Sequence, residues 1–432
     1  MRNIGIIAEY NPLHNGHQYH LHAARNLVNA DGVICVLSGN FLQRGEPALV
    51  NKWARAKMAL QAGADLVFEL PVAYATRSAN WFAHGAIRLL TATGVITHLA
   101  FGSELGRLEP LHTIAQILVE EPRIFKQLLQ ARLAEGLAFP LARSLALKEF
   151  IEHHPPTGIR PTDLEKILRQ PNNILAIEYL KEIISQNSPV IPLTIPRRGA
   201  EFHQLSVQKD SQFASATAIR HLISQHWDGR QINPAVWSQL ESLLPPSTIN
   251  ILQVEFAAGR GPVLDEALAP IVLAFLRRSS PTELRHIVEA SEGIENRLVN
   301  QAQQSFSLED LLQKIKTKRY SYTRLKRLLL HSLLGLSKEL ASSFTATGPT
   351  YLRVLGLNQH GRTILQAMKT RATLPIITQV PRPWPPRDGS RELAMLSLDI
   401  LASDLYTVLY PKQEQRLGHP DLRHSPVIIS DS

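Results

Sequence analysis

A single cysteine, Cys35, stands in the 432 residues, which excludes an internal disulfide and a thiolate metal cluster. Its setting, the apolar run GVICVL, marks it as a buried inert thiol rather than a nucleophile. Long apolar runs are also missing. No stretch approaches the roughly 20 residues that span a bilayer, and the run behind Met1-Arg2-Asn3 is too short for a signal peptide. A soluble, cytoplasmic protein without membrane contact is therefore expected. Acid is in deficit, with 37 Asp and Glu against 46 Lys and Arg, giving a net charge of +9 and a pI near 9.6. Such a balance suits a polyanionic partner, or simply a basic cytosolic enzyme. Internal repeats and long low-complexity segments are absent too. What is present, 44% apolar residues over this length, calls for a large core and two or more domains.

The densest information lies in IGIIAEYNPLHNGHQYHL, residues 4–21. Ile4, Ile6 and Ile7 form the short apolar run of a strand covered on both faces. Asn11-Pro12 breaks it, and the residues after Pro12 open a helix whose free N–H groups can receive an anion. Helical spacing then holds over residues 19–29, and Asp31-Gly32 precedes a second strand at 33–37. Strand, helix, strand in about forty residues is the βαβ unit. The alternation repeats: helix 51–62, strand 64–70, helix 78–90, strand 97–101, then a strand at 190–195. This is the pattern of a doubly wound α/β domain with a mostly parallel sheet, whose ligands sit at the carboxyl ends of the strands. There stand the loops Ser38-Gly39-Asn40 and Gly102-Ser103-Glu104. Residues 110–147 turn helical, Pro155-Pro156-Thr157-Gly158 interrupts, and Asn172-Asn173 reads as the N-cap of a helix at 174–184. A domain boundary is placed in the polar stretch after residue 225. Beyond it helices are expected at 264–277, 282–290, 308–316 and 322–334.

His14 and His17 can be weighed as chemistry. His-x-x-His on one helix face can bind zinc, and His20 and His22 stand near. No Cys or carboxylate set completes such a site, however, and a glycine between ligands has no special use. Phosphate fits better. Gly16 would let backbone approach, and two imidazoles could donate to oxygens that gain charge as pyrophosphate leaves. One preorganised donor of that kind is worth roughly 2.7–4 kcal/mol of barrier, against about 0.3–1 kcal/mol for a charge near an exposed helix end. A second phosphate signal comes two hundred residues later: Ser215-Ala216-Thr217-Ala218-Ile219-Arg220 opens a helix with hydroxyls and a cation one turn in.

His14-Asn15-Gly16-His17 resembles the HxGH motif of the nucleotidyltransferase and class I aminoacyl-tRNA synthetase superfamily, and Ser215 to Arg220 is similar to its second motif. Longer matches narrow this. AEYNPLHNGHQYHL, SGNFLQRGEPALVNKWARAKMAL, GADLVFELP, FGSE, PNNILAIEYLK, SATAIR, KRYSYTRLKRLLLHSLLGL, YLRVLGLNQHGR and ASDLYTVLY together resemble the bacterial tRNA(Met) cytidine acetate ligase family over nearly the whole chain. The resemblance implies an N-terminal Rossmann-like domain, taken as residues 1–225, and a mostly α-helical tRNA-binding domain, residues 226–432. It implies that acetate is activated with ATP to acetyl-adenylate and passed to N4 of the wobble cytidine of elongator tRNA(Met). The ATP site implied is Ile7, Ala8, Glu9, Tyr10, Asn11, Pro12, Leu13, His14, Asn15, Gly16, His17, Gln18, Tyr19 and His20. Gly102, Asn172 and Arg197 complete it, with Asn173 and Arg198 as alternatives within each doublet. Residues 202–204, FHQ, depart from the Tyr-His-Asp-like run expected there.

The chemistry agrees. Acetate and triphosphate repel, so cations are needed: Arg197, Arg198, Arg220, the histidines, and a divalent ion, Mg2+. No protein metal site is expected, and no stable protein partner. The Ser38-Gly39-Asn40 loop and Lys52 are candidates for acetate. KIKTKRYSYTRLKR, residues 314–327, holds seven cations and no acid, with Tyr320 and Tyr322 interleaved. Lys318, Arg319, Arg324, Lys326 and Arg327 are its candidates for RNA phosphates, the tyrosines for base stacking. A solvated helix face is the bland reading of the same run. Two rival functions stand beside the ligase: a small-molecule adenylyltransferase of the same superfamily, and an RNA-binding factor with a relic nucleotide site.

Overall fold

In the computed structural model the first half alternates strand and helix as its apolar pattern requires. The structure describes residues 1–155, 159, 161–197, 213–291, 293–382, 384 and 393–430. Arg198, the 202–204 run and Pro156-Thr157-Gly158 fall outside them. Strands β1 (Asn3–Ala8), β2 (Gly32–Ser38), β3 (Leu66–Leu70), β4 (Ile96–Ser103) and β5 (Ile191–Pro196) pair in parallel in the order β5-β4-β1-β2-β3. The register sets Ile6 beside Cys35 and Val36 beside Phe68. Every residue of β2 is buried, because its neighbours close both edges and helices cover both faces. Side chains alternate accordingly. Ile34 and Val36 enter one apolar cluster; Val33, Cys35 and Leu37 enter the other. The second cluster is closed by helices Asn15–Leu27, Lys52–Gln61, Ala216–Gln225 and Pro246–Ala257. Helices Ala79–Ala92, Leu108–Glu120 and Pro171–Ser185 close the first, together with helices of the C-terminal half.

The sheet does not stop at residue 225. After β3 comes β6 (Leu352–Leu357), antiparallel, with β7 (Ile376–Ile377) and β8 (Val427–Ile428) parallel to it. The C-terminal half is mostly helical as expected, but it supplies three strands to the N-terminal sheet. Its other departures are local. The helix expected at 282–290 is only Pro281–Arg285, started by a capping box between Ser280 and Glu283. Glu289, at φ 71°, lies in the left-handed region that helix cannot continue through. The polar stretch after residue 225 contains helix Ala235–Leu240. Its end caps the opening helix: Asn15 donates from its backbone N–H to the Leu243 carbonyl, 3.0 Å, and from its amide to that of Ser242, 2.8 Å.

Strand order reverses beside β1, which has β4 on one side and β2 on the other. That topological switch opens a crevice at the carboxyl ends of the strands. Arg55 shapes its floor. Fully buried, it donates to the carbonyls of Glu9 (2.7 Å), Ser38 (3.0 Å) and Val50 (3.1 Å), and to that of Gly39. The ends of β1 and β2 are thereby fixed from behind, and burial holds this guanidinium down to about 10.

Candidate active site

A cleft of about 380 Å³ occupies that crevice. Two of its walls are the two expected motifs. After β1, Tyr10 adopts φ 47° and the Asn11-Pro12 peptide is cis, so the chain turns sharply into His14, the N-cap of helix Asn15–Leu27. The turn is tied down from three sides. Asn11 Oδ1 accepts from the Leu49 N–H at 2.7 Å, Arg220 donates to the Asn11 carbonyl at 2.9 Å, and the Tyr10 ring packs edge-on to His17. His14 Nδ1 accepts from the Gly16 N–H at 3.1 Å, and His17 Nδ1 accepts from the His14 N–H at 3.3 Å. The two rings therefore form a capping box and stack with centroids 3.7 Å apart.

This box decides the protonation of both rings. A ring nitrogen that accepts a hydrogen bond carries no proton, so in neutral imidazole the proton sits on Nε2. Burial, with Arg197 second, pushes His14 down to about 3. Burial and then the His14 ring hold His17 well below its ordinary value, and burial and Arg197 bring His20 to about 4. His14 and His17 are thus neutral near pH 7, with Nδ1 engaged by backbone, and both rings line the cleft. Gly16 leaves room for the ring, since a Cβ there would meet His14 Cε1 at 3.0 Å and Nδ1 at 3.1 Å. The N–H groups expected free at this helix start are taken, by Leu243, His14 Nδ1 and the His14 carbonyl. Ser215 caps helix Ala216–Gln225 through the Ala218 N–H, while the Ala216 and Thr217 N–H groups have no hydrogen-bond partner among the described residues. Ser215, Thr217 and Arg220 all line the cleft.

The far wall comes from β4, β5 and helix Pro171–Ser185. That helix begins at Pro171, not at residue 174, so Asn172 and Asn173 stand in its first turn instead of capping it. Glu104 caps it across space, accepting the Asn172 N–H at 3.3 Å and the Asn173 N–H at 2.9 Å. The same carboxylate takes the Asn172 amide at 2.6 Å, and Arg197 donates to Asn172 Oδ1 at 3.1 Å. Asn172 and Arg197 face the cleft, whereas Asn173 is fully buried and accepts from the Leu105 N–H. Gly102 leaves room for Arg197, whose Cγ a Cβ there would approach to 3.3 Å.

Of the residues expected at the nucleotide, Ile7, Ala8, Glu9, Tyr10, Asn11, His14, Gly16, His17, Tyr19, His20, Gly102, Asn172 and Arg197 line this cleft. Pro12, Leu13, Asn15 and Gln18 do not; they shape the turn and the first helical turn from behind. Sequence reasoning passed over Gln43, Glu46 and Tyr179, which also line it. Gln43 and Glu46 lie in a loop with no periodicity, and Tyr179 reads as a core residue of its helix. Among the described residues no group of three or more His, Cys, Asp or Glu is placed to hold a metal ion.

Two expectations are corrected. Lys52 is not poised for acetate. It is fully buried, with Nζ 2.8 Å from both Glu69 carboxylate oxygens and 2.7 Å from Asp421 Oδ1. Arg353 adds a 2.7 Å contact to the same Asp421. The basic run is likewise largely committed inside the protein. Lys326 reaches Glu46 at 2.8 Å and Asp265 at 2.6 Å; Arg327 bonds Glu289 at 2.9 Å; Arg324 bonds Glu289 and lies over the Tyr320 ring. Tyr320 is buried with its hydroxyl on Ser291, so it presents no face to a base. Lys318, Arg319 and Tyr322 are exposed.

A model of the HIGH Nucleotidyl Transferase family matches residues 1–421. A tRNA(Met) cytidine acetate ligase of Syntrophomonas wolfei is 44% identical over 430 residues, 99% of each chain. Another from Caldanaerobacter subterraneus is 44% identical over 410 residues, 95% of this chain and 96% of that one. Thermotoga maritima TmcAL, solved with alpha-thio ATP, superposes over the full length of both chains with TM-score 0.90 at 37% identity, and its apo form with TM-score 0.92 at 38%.

Proposed function

The chain belongs to the tRNA(Met) cytidine acetate ligase family of HIGH nucleotidyl transferases, and from that premise we propose how its cleft serves the reaction. It is a ligase that uses ATP to modify tRNA. Acetate attacks the α-phosphorus of ATP, acetyl-adenylate forms and pyrophosphate leaves. The acetyl group then goes to N4 of the wobble cytidine of elongator tRNA(Met). The observation that carries this reading is the stacked pair His14 and His17 lining the cleft, each fixed through Nδ1 by a backbone N–H so that Nε2 is left to donate. Neutral donors held in place stabilise charge that appears on phosphate oxygens without first being attracted to something else. Arg197, Arg220 and the start of helix Ala216–Gln225 supply the positive field for the triphosphate. Adenosine lies towards Gly102 and Asn172. Mg2+ accompanies the phosphates.

We assign ATP chemistry to residues 1–225 and tRNA recognition to 226–432, with Lys318, Arg319 and Tyr322 as exposed contacts. The cytoplasm is the compartment we propose, where tRNA is found; no helix among the described residues is long and apolar enough to cross a membrane. The test is to incubate the protein with ATP, labelled acetate and bacterial tRNA, then digest the RNA to nucleosides. Labelled N4-acetylcytidine that depends on ATP is the expected product. Label confined to small molecules would favour a small-molecule adenylyltransferase, and no acetate-dependent pyrophosphate release would leave only a binding protein.

A further inference from the structure

Acetyl transfer needs a group that none of the phosphate-facing residues provides. An exocyclic aromatic amine attacks an acyl carbon with its protons still attached, and the amide product is neutral only once one proton has gone. His14 and His17 are unsuited to take it. Their accepting nitrogens are occupied by backbone N–H groups, and their open nitrogens already carry hydrogen. Glu46 lines the same cleft but is engaged: Lys326 stands 2.8 Å away and Arg220 3.6 Å. Burial pushes its carboxyl up, yet those two cations outweigh burial and hold it below its ordinary value. Such a carboxylate is a poor proton acceptor.

Glu9 differs on each count. It follows the last residue of β1 and lines the cleft, and it is held at two points. Arg55 donates to its carbonyl at 2.7 Å, and its Oε1 accepts the Gln43 N–H at 2.7 Å. Oε2 has no partner among the described residues and forms no ion pair there. Facing the carboxyl are Glu46, Arg55, Arg220 and Tyr179. Burial, with the Gln43 bond and the two arginines opposing it and Glu46 adding to it, leaves the group more basic than an ordinary glutamate. A carboxylate is also the natural partner of the cytosine N4 amine, whose two hydrogens are donors.

We propose that Glu9 is a catalytic residue of acetyl transfer, receiving the N4 amine of the target cytidine on Oε2 and taking its proton. This rests on the ligase reading above. In the step, the amine nitrogen forms a bond to the acetyl carbonyl carbon. The bond from that carbon to the phosphate oxygen breaks, AMP departs with the electron pair, and one N4 proton passes to Glu9. General base catalysis of this kind contributes typically about 100- to 10,000-fold.

Glu9→Gln keeps an oxygen for the Gln43 N–H and removes the base. Two rates are to be measured side by side: acetate-dependent exchange of pyrophosphate into ATP, and acetyl transfer to tRNA. Transfer should fall about 100-fold or more, at least ten times further than exchange, and acetyl-adenylate should accumulate on the enzyme. Glu9→Asp, which keeps a carboxylate, should recover part of the transfer rate. Equal losses in both rates, or transfer within threefold of the parent, overturns the assignment. Should Glu9→Gln fail to fold, recovery of transfer ahead of exchange in Glu9→Asp decides in favour, and its absence against. If the parent protein makes no acetylcytidine, the ligase reading fails first and takes this one with it.

Discussion

In the cleft, burial drives His14 to about 3 and His20 to about 4, and no carboxylate stands within ion-pair distance of either among the described residues. Where β3 pairs with β6, Lys52, Glu69, Arg353 and Asp421 are buried as deeply, but each touches an opposite charge. Hiding an ion costs several kcal/mol in a protein, and a group either loses its charge or finds a partner. The cleft takes the first course. Its histidine donors stay neutral, and among the described residues Arg197 forms no ion pair with a carboxylate, so part of the attraction for a polyanion remains unspent until one arrives. The ionic cluster takes the second course and uses its attraction to join Lys52 and Glu69 of the first half to Arg353 and Asp421 of the second. In one region each buried charge meets its opposite; in the other the histidines are neutral and Arg220 is in an ion pair with Glu46.

The contrast can be broken from the matched side first. Lys52→Ala leaves Glu69 and Asp421 buried with Arg353 alone, and should cost roughly 3–5 kcal/mol in chemical denaturation. A loss under about 1 kcal/mol would mean that water reaches the cluster and that its charges were never truly buried. On the unmatched side, His17→Ala should slow acetate-dependent pyrophosphate exchange by about 100- to 1000-fold, equivalent to roughly 2.7–4 kcal/mol. Its stability should drop by only about 0.5–2 kcal/mol, the worth of a helix cap. Comparable damage to tRNA binding would remove the division of labour between the two halves.

Acidity sharpens the same comparison. His14, His20 and, deep in the second half, His331 at about 4 are neutral when folded because burial disfavours their charge. The unfolded chain takes up protons near the ordinary histidine value of about 6.5. Stability from these groups is therefore complete above about pH 6.5 and is lost as the pH falls towards 4. The melting temperature should decline over that window, and His331→Gln should make the decline shallower; a flat profile from pH 7 to 5 would show that these rings reach water. The smallest effect is expected at the exposed cations. Neutralising Lys318 and Arg319 together should reduce the slope of log affinity against log salt for tRNA by about 1–2. Arg327→Ala, by contrast, should destabilise the protein, because it removes one of the two arginines paired with the buried Glu289.

The site was legible where its cause is local. Strand, Pro12 turn and histidine pair are neighbours in the chain, and Ser215 with Arg220 is one helical turn, so residue order alone carries both. What was not legible depends on partners far away. Arg55 looked like one cation on a helix, and only its position behind two strand ends makes it a clamp. Lys326 and Arg327 looked like a solvated or RNA-facing run because Glu46 and Glu289, which neutralise them, lie 280 and 38 positions distant. Lys52 misled for the same reason. Of the added strands, β7 and β8 were missed because they are two residues long, below the length at which alternation can be recognised, while β6 (LRVLGL) is buried throughout and shows no alternation.

The joining of β6 to β3 sets a timetable for making the protein. Asp65 bonds Asn358 across 293 positions, and Lys52 bonds Asp421 across 369. On a ribosome adding about 5–20 residues per second, roughly 15–60 s separate the two edges. For that interval β3 is an open, apolar sheet edge, a template for pairing with the same strand of another nascent chain. Lys52 and Glu69 wait beside it without their full set of partners. The last turn of synthesis thus closes the fold, and an early stop leaves a nucleotide-binding half with a sticky side instead of a smaller enzyme.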